Sequence, residues 1–416
     1  MARRHHHDRH SVNDSSGAAP AVGRSPDGVF AVIMVAALLL RLSFAATTPY
    51  IHDEDNTSIP LSKTISFAPG NLHLPLRGEN HGALPAYLVK ASSALFGTSS
   101  LGYRAIHVLV ALGTIVLVYL VALQRYGPVA ARWAGALMAF NEYHLANASR
   151  ATAHGPYLFF MAAAVYAFSR FLASQRAVYL YAAGLSTGLA FYCKEHAVLL
   201  LPIFGLMLLR ANYRRWLWSP HAYLAVVLFM LIIGPDVLWN LRADPDTVRV
   251  SYSGASLGQA TYSAHLKRIG GLGFSPYPLV FYAHAFVLPI YRTVTGHELV
   301  RVITEYPWLN PLLGALLLGA AVMTTITRTG HDPVRAFLLL MTWGILVFFT
   351  LIEPGDPPYR LAPVNWVWVE ATLIPMSILA GARLAGLTGK WRNTVWALSA
   401  LALLYAVDSV VLRPPG

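Results

Sequence analysis

The chain has 416 residues, of which 56% are hydrophobic and 12% are charged, and its formal net charge is +12. Soluble domains carry about 25% charged residues, so this composition excludes a soluble globular protein and a disordered one. The single cysteine, Cys193, excludes an internal disulfide and a multi-cysteine metal site. The basic residues are dispersed between apolar runs, so membrane topology explains the net charge and we expect no nucleic-acid partner.

Recurring apolar runs predict an all-α polytopic membrane protein with about 11 transmembrane helices, within a range of about 10–13. Residues 1–27 are polar and are predicted to form a disordered cytoplasmic N-terminus, followed by a transmembrane domain over 28–411 and a short tail over 412–416. The expected spans cover 28–46, 105–123, 133–149, 155–171, 177–193, 196–211, 219–239, 308–327, 335–352, 362–384 and 393–411. The first run is interpreted as a retained anchor, because no small-residue cleavage site clearly follows it.

The distribution of basic residues predicts the orientation. With a cytoplasmic N-terminus, roughly half of the basic residues fall in short inner connections, as the positive-inside rule requires. The run 276–291 is a twelfth span or an interfacial segment, and counting it as a span would place Arg328 and Arg335 outside. Two long connections, 47–104 and 240–307, then lie on the outer face, and the first is expected to contain a helix over its apolar stretch 83–96.

Three carboxylates follow the first span directly, at Asp53, Glu54 and Asp55. Neighbouring carboxylates raise one another's pKa and bind divalent cations, and one of them could act as a general base. The alternative is a solvated helix start, because acidic residues suit a helix N-terminus.

Further along the same loop, Glu79 and His81 are candidate metal or substrate ligands, or simply a hydrogen-bonded pair within the loop. Tyr87 lies in the apolar stretch that is too short to span, and its ring suits headgroup depth.

Polar residues recur at the outer ends of later spans. Glu142 lies inside the predicted third span, with Arg150 and His154 in the connection that follows, and such residues usually face a cavity or a partner. Lys194 and Glu195 either neutralise each other or leave Lys194 to contact a phosphate.

The last candidates are Arg360, at the outer surface, and Glu370, inside the next span. Arg360 either clasps a lipid phosphate or anchors the chain at the interface. Glu370 needs water or a partner at its depth, and Arg41 of the first span is expected to pair with one of the acids. These polar residues all collect at one face, which predicts an outward-facing cavity and not a through-pore.

The order of these motifs resembles the GT-C superfamily of integral-membrane glycosyltransferases, in particular the protein mannosyltransferase and aminoarabinose transferase-like group (glycosyltransferase family 39-like) and the related flippase-activity-associated membrane proteins. The resemblance rests on the Asp-Glu pair after the first span, the His-Gly-x-x-x-x-Tyr element at 81–87 and the Phe-Gly at 96–97. It also rests on "RYGPVAARWAGALMAFNEYHLANASR", "GLSTGLAFYCKEHAVLLLP" and "YRLAPVNWVWVEATLIPMSILAG".

The resemblance implies transfer of a hexosyl or pentosyl group, with inversion, from a polyprenyl-phosphate donor to a protein, lipid or glycan acceptor. The reaction would occur at the non-cytoplasmic face of a prokaryotic plasma membrane. Asp53 would be the catalytic acid/base with Glu54 beside it, and the donor phosphate would meet the cations Lys194, Arg360 and Arg150. The substrate or metal candidates are Asp55, Glu79, His81, Tyr87, Glu142, His154 and Glu370.

The resemblance requires no organic cofactor, and a divalent cation would help to neutralise the phosphate. The identity of any metal stays open. Many relatives carry a second acid after the third span, where this chain has Thr152, Ala153, His154 and Gly155. The missing acid keeps open a non-catalytic subunit of a glycan assembly pathway, and a lipid-linked-sugar transporter or flippase component is a separate alternative.

Overall fold

The computed structural model describes residues 27–51, 53–77, 81–242, 249–251, 256–258, 269–272, 311–327, 332–354 and 368–407. The expectations for Glu79, Arg360, the run 276–291 and the two termini lie outside the described residues.

The described residues are mainly helical. The α-helices are α1 (Gly28–Thr47), α2 (Ile59–Thr64), α3 (Leu84–Phe96), α4 (Ser100–Tyr126), α5 (Pro128–Ala139), α6 (Glu142–Ala148), α7 (His154–Ser174), α8 (Ala177–Phe191), α9 (Leu200–Leu208), α10 (Arg214–Leu217), α11 (Pro220–Arg242), α12 (Pro311–Ile326), α13 (Pro333–Thr350), α14 (Leu373–Ala385) and α15 (Trp391–Val407). A π-helix spans Glu54–Ser58, and 3₁₀ helices span Glu195–Leu199 and Trp368–Thr372.

Five of these helices are long and apolar enough to cross a bilayer: Gly28–Thr47, Ser100–Tyr126, His154–Ser174, Pro220–Trp239 and Pro333–Thr350. A span needs about 20 residues because the hydrocarbon core is about 30 Å thick. The chain is therefore an integral membrane protein built mainly from helices, as its composition predicted. The expected number of spans stays a prediction.

Small residues allow the helices to approach closely. A side chain at Gly184 would begin 2.3 Å from the Ala225 carbonyl oxygen, so α8 and α11 meet backbone to backbone. At Gly381 the same atom would lie 2.5 Å from the Ala130 carbonyl oxygen, where α14 crosses α5. Close approach of this kind is how helices associate in lipid, where apolar side chains gain little from leaving the solvent.

The expected third span, 133–149, is interrupted. Helix α5 ends at Ala139, and Asn141 begins α6 by accepting a hydrogen bond from the His144 amide at 2.9 Å. A side-chain oxygen at this position satisfies a helix amide that would otherwise lack a partner. The break leaves α6 as a separate short helix at one end of the bundle.

Short strands also interrupt the expected all-helical pattern. Strand β1 (Arg249–Ser251) pairs with β2 (Ser256–Gly258), and β3 (Ile269–Leu272) pairs with β4 (Ile352–Pro354), both antiparallel. The second pair connects the long segment after α11 to the end of α13.

Ion pairs mark the two ends of the helix bundle. At one end, Asp27 caps α1 and accepts a hydrogen bond from Arg132 of α5 at 2.8 Å. At the other end, the π-helix that follows α1 meets the first turns of α4 through Glu54 and Arg104. We call the end that carries Glu54 the site end and the end that carries Asp27 the opposite end.

Candidate functional site

The Glu54 side chain is fully buried at the site end and binds two arginines. Arg104 Nε and Nη2 donate to its two carboxylate oxygens at 2.6 and 2.7 Å, and Arg150 Nη1 approaches Oε2 at 3.3 Å. The Ala151 amide also donates to Oε1 at 2.8 Å. Burial opposes ionisation of Glu54, but the hydrogen bonds and charge of Arg104 outweigh it and hold the pKa of Glu54 below its usual value.

This arrangement fixes the segment that carries the other two acids. Glu54 begins the π-helix, a rare form that occurs often at functional sites. Asp53 and Asp55, on either side of it, are exposed. The sequence run of three acids therefore divides into one buried carboxylate that holds the backbone and two that face outward.

Glu370 is the centre of a second buried cluster. Lys194 Nζ lies 2.7 Å from its Oε1, and the Tyr143 hydroxyl donates to its Oε2 at 2.8 Å. His154 Nδ1 lies 2.8 Å from the same Oε2 and 2.9 Å from Lys194 Nζ. Glu370 needed a partner at its depth, and the ammonium of Lys194 supplies it.

Arg77 forms a third cluster, which fastens the segment between α1 and α4 to the bundle. Its guanidinium donates to Glu195 Oε1 at 2.7 Å and to both oxygens of Asp236 at 3.0 Å, and the residue is only 1% exposed. His81 Nδ1 donates to the other Glu195 oxygen at 2.9 Å. Burial alone would lower the pKa of Arg77, but the carboxylates of Glu195 and Asp236 raise it.

Chain connectivity joins the three clusters. Lys194 and Glu195 are neighbours just after α8. Lys194 belongs to the Glu370 cluster and Glu195 to the Arg77 cluster, so the backbone joins these two clusters directly. Arg150 and His154 lie in one short connection between α6 and α7 and join the Glu54 cluster to the Glu370 cluster. The site end thus holds a continuous band of charged residues from several separate parts of the chain.

The structure brings most of the described candidates into this band or beside it. The Tyr87 hydroxyl donates to the Pro75 carbonyl at 2.9 Å and so braces the segment between α1 and α4, and Glu142 is buried in the first turn of α6. The catalytic, phosphate-binding and substrate roles expected for these residues stay predictions.

One expectation about pairing was wrong, and one of the two alternatives for Lys194 is excluded. Among the described residues, Arg41 makes no ion pair with an acid but lies 2.8 Å from His144 Nδ1, because the separate helix α6 brings that imidazole against α1. Lys194 and Glu195 do not neutralise each other, since an extended backbone at Lys194 directs the two side chains to Glu370 and Arg77 respectively.

Arg104 and Tyr143 were absent from the candidate set, although both contact its members directly. An arginine at the start of an apolar helix is the available sequence signal, because a buried cation requires a partner. Among the described residues, no group of three His, Cys, Asp or Glu side chains is arranged to hold a metal ion.

Comparison with known proteins supports a common fold. Residues 80–239 match the family model described as dolichyl-phosphate-mannose-protein mannosyltransferase, and no curated protein sequence matches the chain. ArnT from Cupriavidus metallidurans, solved bound to undecaprenyl phosphate, is 15% identical with a TM-score of 0.60. The match covers 91% of this chain and 63% of ArnT.

A second solved structure is the archaeal oligosaccharyltransferase AglB from Archaeoglobus fulgidus in complex with an inhibitory peptide and a dolichol-phosphate. It is 14% identical with a TM-score of 0.53, and the match covers 93% of this chain and 56% of AglB. The chain therefore spans about three fifths of the length of these proteins. The chain therefore shares its fold with ArnT and AglB, and the GT-C-like fold that the sequence motifs predicted is confirmed.

Proposed function

We propose that the protein transfers a sugar from a polyprenyl-phosphate-linked donor to an acceptor at the non-cytoplasmic face of the membrane. The observation that carries the proposal is the band of charged residues at the site end, where exposed Asp53 precedes Glu54, whose carboxylate binds two buried arginines. The match to the mannosyltransferase family model and the fold shared with ArnT and AglB support the same reaction class.

Asp53 is the proposed general base. It removes the proton from the acceptor hydroxyl or amide while the acceptor atom bonds to the anomeric carbon. The bond between that carbon and the phosphate oxygen breaks, and polyprenyl phosphate leaves with the electron pair. Attack from the face opposite the phosphate inverts the configuration. An exposed carboxylate within reach of the acceptor suits this step, whereas Glu54 has both oxygens occupied and acts as a positioning residue.

The phosphate needs positive charge at headgroup depth. The Glu54 cluster holds two guanidiniums and one carboxylate, so Arg150 leaves it with an excess positive charge beside Asp53. Lys194 supplies a second cation when the donor phosphate competes with Glu370 for its ammonium. Arg150 and Lys194 are thus the two cations of this end that we propose to meet the donor phosphate.

We assign the site end to the non-cytoplasmic side, because the opposite end carries most of the short basic connections. The protein would then lie in a prokaryotic plasma membrane with its N-terminus in the cytoplasm. The acceptor is a protein, lipid or glycan that reaches the exposed Asp53 and Asp55.

The test uses purified protein in detergent with a panel of polyprenyl-phosphate sugars, and release of polyprenyl phosphate is measured by mass spectrometry. We expect release by the wild type and loss of at least about 100-fold in Asp53→Asn, since general base catalysis contributes about 10²–10⁴-fold. Asp332→Asn, which removes a carboxylate at the opposite end, is the matched control and retains activity. Full activity of Asp53→Asn would refute the assignment of Asp53.

Failure of the wild type to release lipid phosphate from every donor would contradict the proposed reaction. Reconstituted vesicles then separate the alternatives. Movement of the donor between leaflets without release indicates transport, and neither movement nor release indicates a non-catalytic subunit.

A further inference from the structure

Five arginines gather at the opposite end of the bundle, away from the candidate site. They come from the last turns of α7, the residue before α8, the residues after α9, and α10, and we call them the arginine patch: Arg170, Arg176, Arg210, Arg214 and Arg215. Between Gly155 and Pro235 the chain has a single acid, Glu195, and that residue lies at the site end.

Specific contacts assemble the patch from two connections that are distant in sequence. The Tyr213 hydroxyl donates to the Leu172 carbonyl at 2.7 Å, and Arg215 Nη2 donates to Gln175 Oε1 at 2.6 Å. The Trp216 ring meets Phe171 edge to face with ring centroids 5.1 Å apart. These contacts fix the α9–α10 segment against the turn between α7 and α8, so the arginines form one surface.

No acidic side chain among the described residues neutralises the charge of the arginine patch. None of the five arginines makes an ion pair within the described ranges. The described acids at this end are engaged elsewhere, since Asp27 pairs with Arg132 at 2.8 Å and Asp332 pairs with Arg125 at 2.7 Å. The partial positive charge at the start of α8, which has no acidic residue in its first turn, adds to the same field.

The depth of the patch follows from the helices that lead to it. Helix α7 has 21 residues and runs from His154 at the candidate site to Ser174 at the patch, a rise of about 30 Å. This length matches the hydrocarbon core, so the patch lies at the headgroups of the other leaflet. Trp218, which is 77% exposed, follows α10 directly and suits the interface between headgroups and acyl chains.

We propose that the arginine patch binds the anionic headgroups of phospholipids in the leaflet opposite the candidate site. Arg176, Arg214 and Arg215 would contact the headgroup phosphates, and Trp218 would anchor the segment among the acyl chains. The occupant is a lipid and not a soluble anion, because an exposed tryptophan beside the guanidiniums matches a ligand with an anionic head and an apolar tail. This proposal is independent of the sugar-transfer reaction.

The experiment measures lipid selectivity of the full chain by native mass spectrometry. Protein in neutral detergent is incubated with equal amounts of phosphatidylglycerol and phosphatidylcholine, and the ratio of retained lipids is determined. We expect wild type to prefer phosphatidylglycerol and R214Q/R215Q to lose about threefold or more of that preference. The double variant R176Q/R214Q also removes two positive charges from the patch, but it keeps the hydrogen bond between Arg215 and Gln175.

The matched control is K390Q/R392Q, which removes two exposed cations beside Trp391 at the same end of the bundle. It is expected to keep the wild-type preference, and R214K/R215K is expected to keep most of it. Unchanged selectivity in both patch variants would overturn the proposal. An equal loss in the control would also overturn it, because the effect would then belong to the net charge of the face. Displacement of the lipid by millimolar inorganic phosphate would show a site for a free anion.

Discussion

Lys194 Nζ lies 2.7 Å from Glu370 Oε1, although the two residues are 176 positions apart in the chain. Both side chains are buried, and the contact joins the end of α8 to the 3₁₀ helix that precedes α14. A buried ion pair leaves an uncompensated charge when one partner is removed, so it constrains which conformations this end of the bundle can adopt.

The Lys194–Glu370 pair can be tested by a double-mutant cycle. We expect Lys194→Met and Glu370→Gln each to lower thermal stability, by a cost of about 3–5 kcal/mol for an unpaired buried charge. The double variant should lose less than the sum, because neither charge is then left alone. Thermal unfolding in detergent measures all four proteins, and additive losses would show that the contact contributes no coupling.

Substitutions at the adjacent residues Glu54 and Asp53 should have different effects on the unfolding temperature. Glu54→Gln weakens the bidentate contact with buried Arg104 and should lower the unfolding temperature markedly. Asp53→Asn changes an exposed side chain and should leave the unfolding temperature within about 1 °C of wild type, since such surface changes are usually within ±0.5 kcal/mol. Parallel thermal unfolding of the two variants and the wild type measures this difference. Equal decreases in unfolding temperature would contradict a structural role for Glu54 and an exposed position for Asp53.

The lowered pKa of Glu54 predicts a pH dependence with a defined sign. A carboxyl whose pKa falls on folding stabilises the protein above its unfolded value of 4.5, and that contribution is lost as the pH falls through the folded value. The difference in unfolding temperature between wild type and Glu54→Gln should therefore narrow below about pH 4.5. A constant difference down to pH 3 would argue against an ionised Glu54 in the fold.

Arg77 and Arg125 offer a comparison between a buried and an exposed ion pair. Arg77→Gln leaves Glu195 and Asp236 without their guanidinium, so we expect the segment between α1 and α4 to loosen and its amides over 65–77 to exchange at least about tenfold faster. Arg125→Gln breaks only an exposed contact with Asp332 and should change stability by less than about 1 kcal/mol. Hydrogen exchange with mass spectrometry reads out both variants, and protection retained in Arg77→Gln would be the contrary result.

Two glycines test the close helix packing. Gly184→Ala places a methyl group 2.3 Å from the Ala225 carbonyl oxygen, so α8 and α11 must separate, and we expect a loss of about 1–3 kcal/mol. Gly205→Ala in α9 meets no atom within 4 Å and should be neutral or slightly stabilising, because alanine favours a helix over glycine. Thermal unfolding measures both, and equal effects would refute close packing at Gly184.

The amino-acid sequence by itself determined the membrane class and the concentration of polar residues at one end of the helices. Apolar runs of this length indicate membrane-spanning helices, and a charged residue inside such a run requires a partner. For that reason Glu370 and Lys194 could be placed at the same end before their contact was known. The motif order was sufficient to predict the GT-C fold.

Only the tertiary structure decided which charges meet. Which charged side chains meet depends on the rotation of each helix about its axis and on local breaks such as the one before α6. Hydropathy reports neither of these, because it contains no information about distant contacts. Thus Arg41 meets His144 and not an acid, and Glu54 turns inward to Arg104 while Asp53 and Asp55 stay exposed. The Glu54 carboxylate binds an arginine 50 positions away, so no local pattern could have specified which of the three acids is buried.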